Sequence, residues 1–150
     1  MASRLLRKKV SVCPRNAVGP LPVAALGAYL VPGKILLVED RADIRGMMVS
    51  YLTLNKYEVI EAVDGFEAVE KAIKHKPDAI LMDIAMPVLD GIDSTRAMRK
   101  NKELAGIPIL CLTASIDTYE ERAKKAGCNE ILQKPVDFGK LDAFLERYVH

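Results

Sequence analysis

Five polar residues at the ends of apolar runs have side chains suited to binding ions or to chemistry: Glu39, Asp40, Asp83, Thr113 and Lys134. Three of them are carboxylates and one is an ammonium, so the set carries a formal charge of −2. Without a counter-ion the acids repel one another, and one of them tends to stay protonated. A divalent cation removes this conflict, and oxygen ligands without His or Cys favour Mg²⁺ over zinc.

A bound Mg²⁺ would neutralise this set and allow a phosphoryl group to bind beside it. Lys134 can then hold one phosphoryl oxygen and the Thr113 hydroxyl another, and Asp83 is the natural nucleophile. Taken alone, each residue also has a purely structural interpretation, because Asp and Thr are common at turns and helix caps. Their shared position at the ends of apolar runs favours a site.

The elements that must position these residues are five short runs that alternate with helical patterns. The runs are "KILLVED" (34–40), "YEVIEAV" (57–63), "DAILMD" (78–83), "IPILCLT" (107–113) and "EILQKP" (130–135). Four are almost continuously apolar, which is typical of parallel strands covered on both faces, whereas "YEVIEAV" alternates and is predicted at a sheet edge. The sequence therefore predicts an α/β fold: a doubly wound five-stranded parallel sheet, flavodoxin-like with order 2-1-3-4-5, and five helices. Parallel strands end at one sheet edge, where we expect the five polar residues to converge.

Helical spacing predicts which face of each helix packs inward. The predicted inward residues are, helix by helix, Ile44, Met47, Met48, Tyr51 and Leu54; Phe66, Val69, Ala72 and Ile73; Ile92, Thr95 and Met98; Tyr119, Ala123 and Ala126; and Phe138, Leu141, Leu145 and Tyr148. Asp64, Asp117 and Asp137 are predicted helix N-caps, the first two with a Glu three residues later. Asp90 and Gly91 are interpreted as the start of the third helix and not as part of the site.

Charge divides the 150-residue chain into two parts. Residues 1–32 hold five bases and no acid, whereas residues 33–150 hold 17 bases against 20 acids. The mildly acidic second part argues against a nucleic-acid partner. The apolar stretch "AVGPLPVAALGAYLVPG" is too short and too interrupted by Gly and Pro to span a bilayer, which takes about 20 apolar residues. We predict a loosely ordered leader over 1–32 and one domain over 33–150; a targeting segment and a partner-binding tail are the alternatives for the leader.

The three cysteines, Cys13, Cys111 and Cys128, show no metal-ligand spacing. Cys111 lies inside an apolar run, where a buried, inert thiol is expected. Nothing in the spacing indicates a disulfide framework, so the sequence favours a reducing, cytoplasmic location.

The order and spacing of five motifs over about 115 residues resemble a response-regulator receiver domain, of the chemotaxis-receiver-like single-domain kind. The motifs are "ILLVED", "DGFEAVE", "PDAILMDIAMPVLDG", "IPILCLTA" and "AGCNEILQKP". The resemblance implies that Asp83 accepts a phosphoryl group. It also implies that Asp40, Asp83 and the backbone carbonyl of Ala85 hold Mg²⁺, with Glu39 acting through water.

The same resemblance implies roles for the later motifs and for partners. Thr113 would be the switch hydroxyl, Lys134 the phosphate-binding lysine, and Lys134–Pro135 a cis peptide. A sensor histidine kinase or a histidine phosphotransfer domain would supply the phosphoryl group, and phosphorylation would switch binding of a downstream protein. The protein would then be no enzyme toward a separate substrate, although it would assist its own phosphorylation and dephosphorylation.

Two features of the sequence keep other functions open. Many receivers carry an aromatic residue three positions before the lysine, where this chain has Ile131. Ile131 is the support for an alternative function, a phosphorylation-independent interaction module that retains the site. A Mg²⁺-dependent phosphatase is a third possibility, but it would need a second Asp at the position of Ala85. Ala85 and Ser115 both have small side chains, which would not block water from reaching the phosphoryl group. A kinase is expected to dock over the first helix, near Met47 and Met48. Both are predicted to be core residues; the alternative is that one faces the core and the other is an adaptable surface side chain.

Overall fold

A computed structural model describes residues 33–86 and 88–149. The predicted leader (1–32), with Cys13, lies outside the described residues, as does Pro87 of the quoted motif. The strands are β1 (Lys34–Val38), β2 (Glu58–Ala62), β3 (Ala79–Asp83), β4 (Ile109–Thr113) and β5 (Glu130–Gln133). The helices are α1 (Ala42–Leu54), α2 (Gly65–His75), α3 (Gly91–Lys100), α4 (Ile116–Ala126) and α5 (Phe138–Tyr148). Within this part of the chain, no helix combines the length and apolar character needed to cross a membrane.

The strands form one parallel sheet in the order β2-β1-β3-β4-β5, which confirms the predicted fold class and order. The strands are shorter than the predicted runs, so Glu39 and Asp40 follow β1 and do not belong to it. The register pairs Val38 with Met82 and Asp83 with Leu112. The ends of β1, β3 and β4 therefore lie side by side at the carboxyl edge of the sheet, with β2 at one side as predicted.

Buried apolar side chains of the described residues pack on both faces of the sheet. All five residues of β3 and of β4 are buried, as expected for central parallel strands. On one face, α2, α3 and α4 cover the cluster that includes Leu36, Ile80 and Cys111. On the other face, α1 and α5 cover the cluster that includes Leu37 and Leu81. The sheet therefore holds its carboxyl edge on a rigid, two-sided core.

The inward face of α1 differs from the prediction. Met48 and Leu52 are buried, and Tyr51 packs against the core. Met47 is 51% exposed and Leu54 is 78% exposed, so the prediction that both face inward is wrong. The helix is rotated so that Leu52, which the prediction left out, replaces Leu54.

The inward face of α2 also differs, because small residues occupy it. Ala68 and Ala72 are buried, whereas Phe66 and Ile73 are exposed, contrary to the prediction. The first residue of the helix, Gly65, lies so close to Leu89 that a Cβ atom would be 2.5 Å from its carbonyl oxygen. Small side chains are therefore needed where α2 meets its neighbours, and the large apolar residues face away.

The inward faces of α3, α4 and α5 agree with the prediction, and α5 adds a buried Phe144 that the prediction left out. Three acids cap helices through their side chains: Asp64 on α2, Asp90 on α3 and Asp137 on α5. The prediction that Asp117 is an N-cap is wrong. The helix α4 begins at Ile116, so its N-cap is Ser115, two residues before the predicted one.

Candidate functional site

Three carboxylates meet where β1 and β3 end. Glu39 and Asp40 follow β1, and Asp83 is the last residue of β3. One oxygen of each side chain lies within 4.8 Å of the others. Glu39 is fully buried, Asp83 is 2% exposed, and Asp40 is partly exposed. The structure thus brings together the three acids on which the sequence prediction depended, with one side of the cluster open to solvent.

A single lysine bridges the two buried acids. The Nζ atom of Lys134 lies 3.0 Å from Glu39 Oε2 and 3.0 Å from Asp83 Oδ1. Its backbone N–H donates to the carbonyl of Thr113 at 2.7 Å, which fixes this end of β5 against β4. The Lys134–Pro135 peptide bond is cis, as the resemblance implied. Lys134 therefore reaches the cluster from the end of β5, a strand that is three positions away from β1 in the sheet.

The protonation of this group reflects burial in competition with the lysine. Burial raises the pKa of both Glu39 and Asp83 above the ordinary carboxyl value, and the hydrogen bonds from Lys134 offset only part of this rise. Burial alone would lower the pKa of Lys134, but its hydrogen bonds to Glu39 and Asp83 outweigh burial, and that pKa is raised. One ammonium is thus shared by two buried acids, and a further cation would relieve the remaining negative charge.

The donor atoms of the cluster suit Mg²⁺. They are carboxylate oxygens in a partly open group, with no His or Cys among them. Ala85 lies just beyond β3, and its backbone N–H donates to Asp83 Oδ1 at 3.3 Å. That bond turns the chain around the Asp83 side chain and keeps the backbone of Ala85 beside the Asp83 carboxylate.

The hydroxyl of Thr113 lies at the same sheet edge but is bonded elsewhere. The side chain is 2% exposed. The backbone N–H of Ser115 donates to Thr113 Oγ1 at 3.1 Å, and the hydroxyl lies 3.4 Å from the Ser115 carbonyl oxygen. No hydrogen bond within the described residues joins this hydroxyl to the three acids. The structure therefore places Thr113 at the correct edge, in a position turned toward its own loop.

Two residues that the sequence prediction did not include support the site from outside. Arg45 donates through Nη1 to the carbonyl oxygens of Glu39 and Asp40 at 3.0 and 3.5 Å, and through Nε to Glu61 Oε1 at 3.1 Å. It therefore fixes the turn that carries two of the acids. Gln133 contacts the loop that follows Thr113. In the sequence, only the position of Gln133 directly before Lys134 hints at such a contact.

Known proteins resemble this chain in sequence. A family model for the response regulator receiver domain matches residues 35–146. The polar-differentiation response regulator DivK of Brucella anthropi is 30% identical over 120 residues, and this match covers 79% of the chain and 98% of DivK. The resemblance stated from the five motifs is confirmed.

Solved structures share the fold. The receiver domain of the sensor histidine kinase PA1611 from Pseudomonas aeruginosa PAO1 matches with a TM-score of 0.74 and 36% identity, over 78% of this chain and 97% of that one; its crystal structure has a magnesium ion coordinated in the active site cleft. The receiver domain of Saccharomyces cerevisiae Ssk1 was crystallised with the histidine phosphotransfer protein Ypd1. That structure matches with a TM-score of 0.70 and 29% identity, over 77% of this chain and 88% of the other.

Proposed function

Because the chain belongs to the family of response regulator receiver domains, we propose that it accepts a phosphoryl group on Asp83 and thereby switches the binding of a partner protein. The observation that carries this proposal is the position of Asp83 between Lys134 and two further acids. The side chain is fixed at the end of a fully buried strand, so it presents one carboxylate to an incoming donor in a constant position.

The phosphoryl donor is a phosphohistidine of a sensor histidine kinase or a phosphotransfer protein. A carboxylate oxygen of Asp83 attacks phosphorus, the P–N bond to the histidine breaks, and the electron pair leaves with the imidazole nitrogen. The product is an acyl phosphate, which water later hydrolyses to restore Asp83. The receiver domain of Ssk1 crystallised with a phosphotransfer protein supports this class of donor.

The residues that would hold Mg²⁺ are Asp40, Asp83 and the backbone carbonyl of Ala85, with Glu39 acting through water. The metal supplies positive charge that offsets the charge gathering on the phosphoryl oxygens. Lys134 binds one phosphoryl oxygen and in doing so exchanges part of its present pairing with Glu39 and Asp83. Thr113 donates to another oxygen once its hydroxyl turns away from the Ser115 carbonyl.

The proposal is tested by mass spectrometry after incubation with Mg²⁺ and acetyl phosphate. We expect the wild-type protein to gain one phosphoryl group, and we expect neither Asp83→Asn nor metal-free protein to gain it. Asp90→Asn is the matched control, because Asp90 caps α3 and Asn caps equally well. A wild-type protein that stays unmodified would contradict the proposal.

The partner is proposed to dock on α1 beside the site. Met47 is half-exposed on this helix, and a flexible apolar side chain suits a protein contact. We expect Met47→Glu to slow transfer from a phosphotransfer protein several-fold without changing phosphorylation by acetyl phosphate. Equal slowing of both reactions would contradict docking on this helix.

One observation favours a second candidate function, a phosphorylation-independent interaction module. Ile131 packs against the core where many receivers have an aromatic residue that couples the site to the surface. Partner affinity that is the same for phosphorylated wild-type protein, unphosphorylated protein and Asp83→Asn would favour this module over the switch.

A further inference from the structure

The loop between β4 and α4 is held at two points by one side chain. Gln133, the last residue of β5, donates from Nε2 to the carbonyl oxygen of Ala114 at 2.6 Å. Its Oε1 accepts from the backbone N–H of Ile116 at 3.1 Å. The two bonds flank Ser115, so the primary amide of Gln133 spans the loop and leaves neither of its polar atoms without a loop partner.

The same loop holds the hydroxyl of Thr113. The backbone N–H of Ser115 donates to Thr113 Oγ1, and this N–H lies between the two points at which Gln133 is bonded. The one proton of the hydroxyl is directed at the carbonyl oxygen of Ser115, 3.4 Å away. To donate this proton to a phosphoryl oxygen on Asp83, the hydroxyl must turn away from that carbonyl. A loop fixed on both sides of Ser115 resists the backbone movement that would release the hydroxyl.

The end of β5 provides a fixed base for these contacts. Thr113 and Gln133 face each other in the β4–β5 register, and the next backbone N–H, that of Lys134, donates to the Thr113 carbonyl at 2.7 Å. The side chain of Gln133 itself is exposed and adds little to the core. Loss of its two hydrogen bonds should therefore change the position of the loop without disrupting the sheet.

We propose that Gln133 is a positioning residue that stabilises the unphosphorylated position of the β4–α4 loop and so opposes engagement of a phosphoryl group by Thr113. This inference rests on the proposed function. An interaction made in only one of two states shifts the equilibrium by its own free energy. Removing the two bonds should therefore favour the phosphorylated arrangement, in contrast to an ordinary destabilising substitution.

Two substitutions of Gln133 remove its contacts with the loop in different ways, one by removing the amide group and one by shortening the side chain. Gln133→Met has a similar length but no amide, and Gln133→Asn has the amide on a side chain too short to span both contacts. Asn55→Leu is the matched control, because Asn55 is an exposed amide that donates to a backbone carbonyl, that of Tyr51, at the far end of α1.

The first measurement is amide hydrogen exchange in the unphosphorylated protein. We expect the Ile116 amide to exchange about fivefold faster in both Gln133 variants, with Leu81 in the central strand unchanged. Wild-type exchange at Ile116 would overturn the proposal, because the contact would then not hold the loop. This arm involves no phosphoryl chemistry.

The second measurement is the affinity for beryllium trifluoride with Mg²⁺, a stable mimic of a phosphoryl group. We expect both Gln133 variants to bind it about fivefold more tightly than the wild type, and we expect Asn55→Leu to bind as the wild type does. Unchanged or weaker binding by the Gln133 variants would overturn the proposal even if exchange is faster. A wild-type protein that binds no beryllium trifluoride and gains no phosphoryl group would instead overturn the proposed function, and the inference with it.

Discussion

At the scale of single residues, the site is built around an imbalance of charge. Lys134 is the shared partner of two buried acids, Glu39 and Asp83, and burial raises the pKa of both. Such a cluster is less stable than a well-packed apolar one would be. The fold tolerates it at the sheet edge, where solvent reaches Asp40, and the cost is consistent with a site kept for binding a cation.

The first prediction at this scale concerns stability. A carboxyl with a raised folded-state pKa contributes stability at low pH, and this contribution is lost as the pH rises through that pKa. Above it, Asp83 is a buried charge that weakens the fold. We expect Asp83→Asn to raise the free energy of unfolding at pH 7 by about 1 kcal/mol in EDTA, as measured by urea unfolding.

The gain should shrink as the pH falls through the raised pKa of Asp83, because the folded wild-type carboxyl is then protonated and is no longer a buried charge. Asp90→Asn should change stability little, because the cap is kept. An Asp83→Asn protein that is less stable than the wild type at pH 7 would contradict this prediction, because the ion pair with Lys134 would then fully offset the cost of burying the Asp83 charge.

A second prediction concerns competition between protons and Mg²⁺. Because the pKa values of Glu39 and Asp83 are raised, protons occupy these acids at a higher pH than they occupy ordinary carboxyls, whose pKa is about 4. We expect the increase in melting temperature caused by Mg²⁺ to fall as the pH is lowered from 8 toward 5. An increase that stays constant over this range would place the metal away from these two acids.

At the scale of elements, one arginine joins α3 to the loops that precede β4 and β5. Arg99 donates to three backbone carbonyls and one side-chain oxygen, those of Gly127, Leu104, Ala105 and Asn129, at 2.8 to 3.1 Å. Asn129 Oδ1 also accepts from the backbone N–H of Ile109 at 2.9 Å. The half-buried guanidinium thus fixes the start of β4 and of β5 to the end of α3.

The prediction for this element is a loss of stability without loss of the site. We expect Arg99→Met to lower the free energy of unfolding by about 2 kcal/mol, because it removes four hydrogen bonds, two of them to the partly buried carbonyl oxygens of Gly127 and Leu104. Arg96→Met, in the same helix, removes only an exposed pair with Asp93 and should cost less than about 0.5 kcal/mol. Equal losses in urea unfolding would refute a special role for Arg99.

The elements also show how far the sequence could be used. The positions of Glu39, Asp83 and Thr113 at the ends of strands could be predicted, because a run of apolar residues that stops at a polar one is a strong local signal. The buried faces of α1 and α2 are harder to predict from the sequence. In α2, Phe66 and Ile73 are more apolar than Ala68 and Ala72 and therefore dominate the apolar pattern. Alanine is chosen there for its small size against neighbouring elements, which the sequence does not display.

The contacts around the β4–α4 loop illustrate a different limit. The bonds of Gln133 to Ala114 and Ile116 join positions that are 19 and 17 residues apart, and they depend on the shape of a short loop. No spacing rule predicts such contacts. The same is true of Arg45, whose partners lie after β1 and in β2.

At the scale of the whole molecule, we propose that residues 33–150 form one folding unit. Both hydrophobic clusters and all five polar residues of the site lie within 33–149. We expect a chain shortened to residues 33–150 to unfold in urea in one cooperative transition. We also expect it to gain one phosphoryl group from acetyl phosphate at the same rate as the full chain. Loss of either property on removal of residues 1–32 would show that the predicted leader takes part in the receiver.

The bond between Lys134 and Glu39 joins residues 95 positions apart, and this separation has a consequence for synthesis of the protein. A ribosome makes Glu39 and Asp83 well before Lys134, because β5 is the last of the described strands in chain order. Until that strand joins the sheet, Glu39 and Asp83 lack the ammonium of Lys134, and an arriving phosphoryl group lacks the lysine that would bind one of its oxygens. Under the proposed function, a chain that ends before Lys134 or is still being made is therefore not phosphorylated efficiently by its kinase, and only full-length protein takes part in signalling.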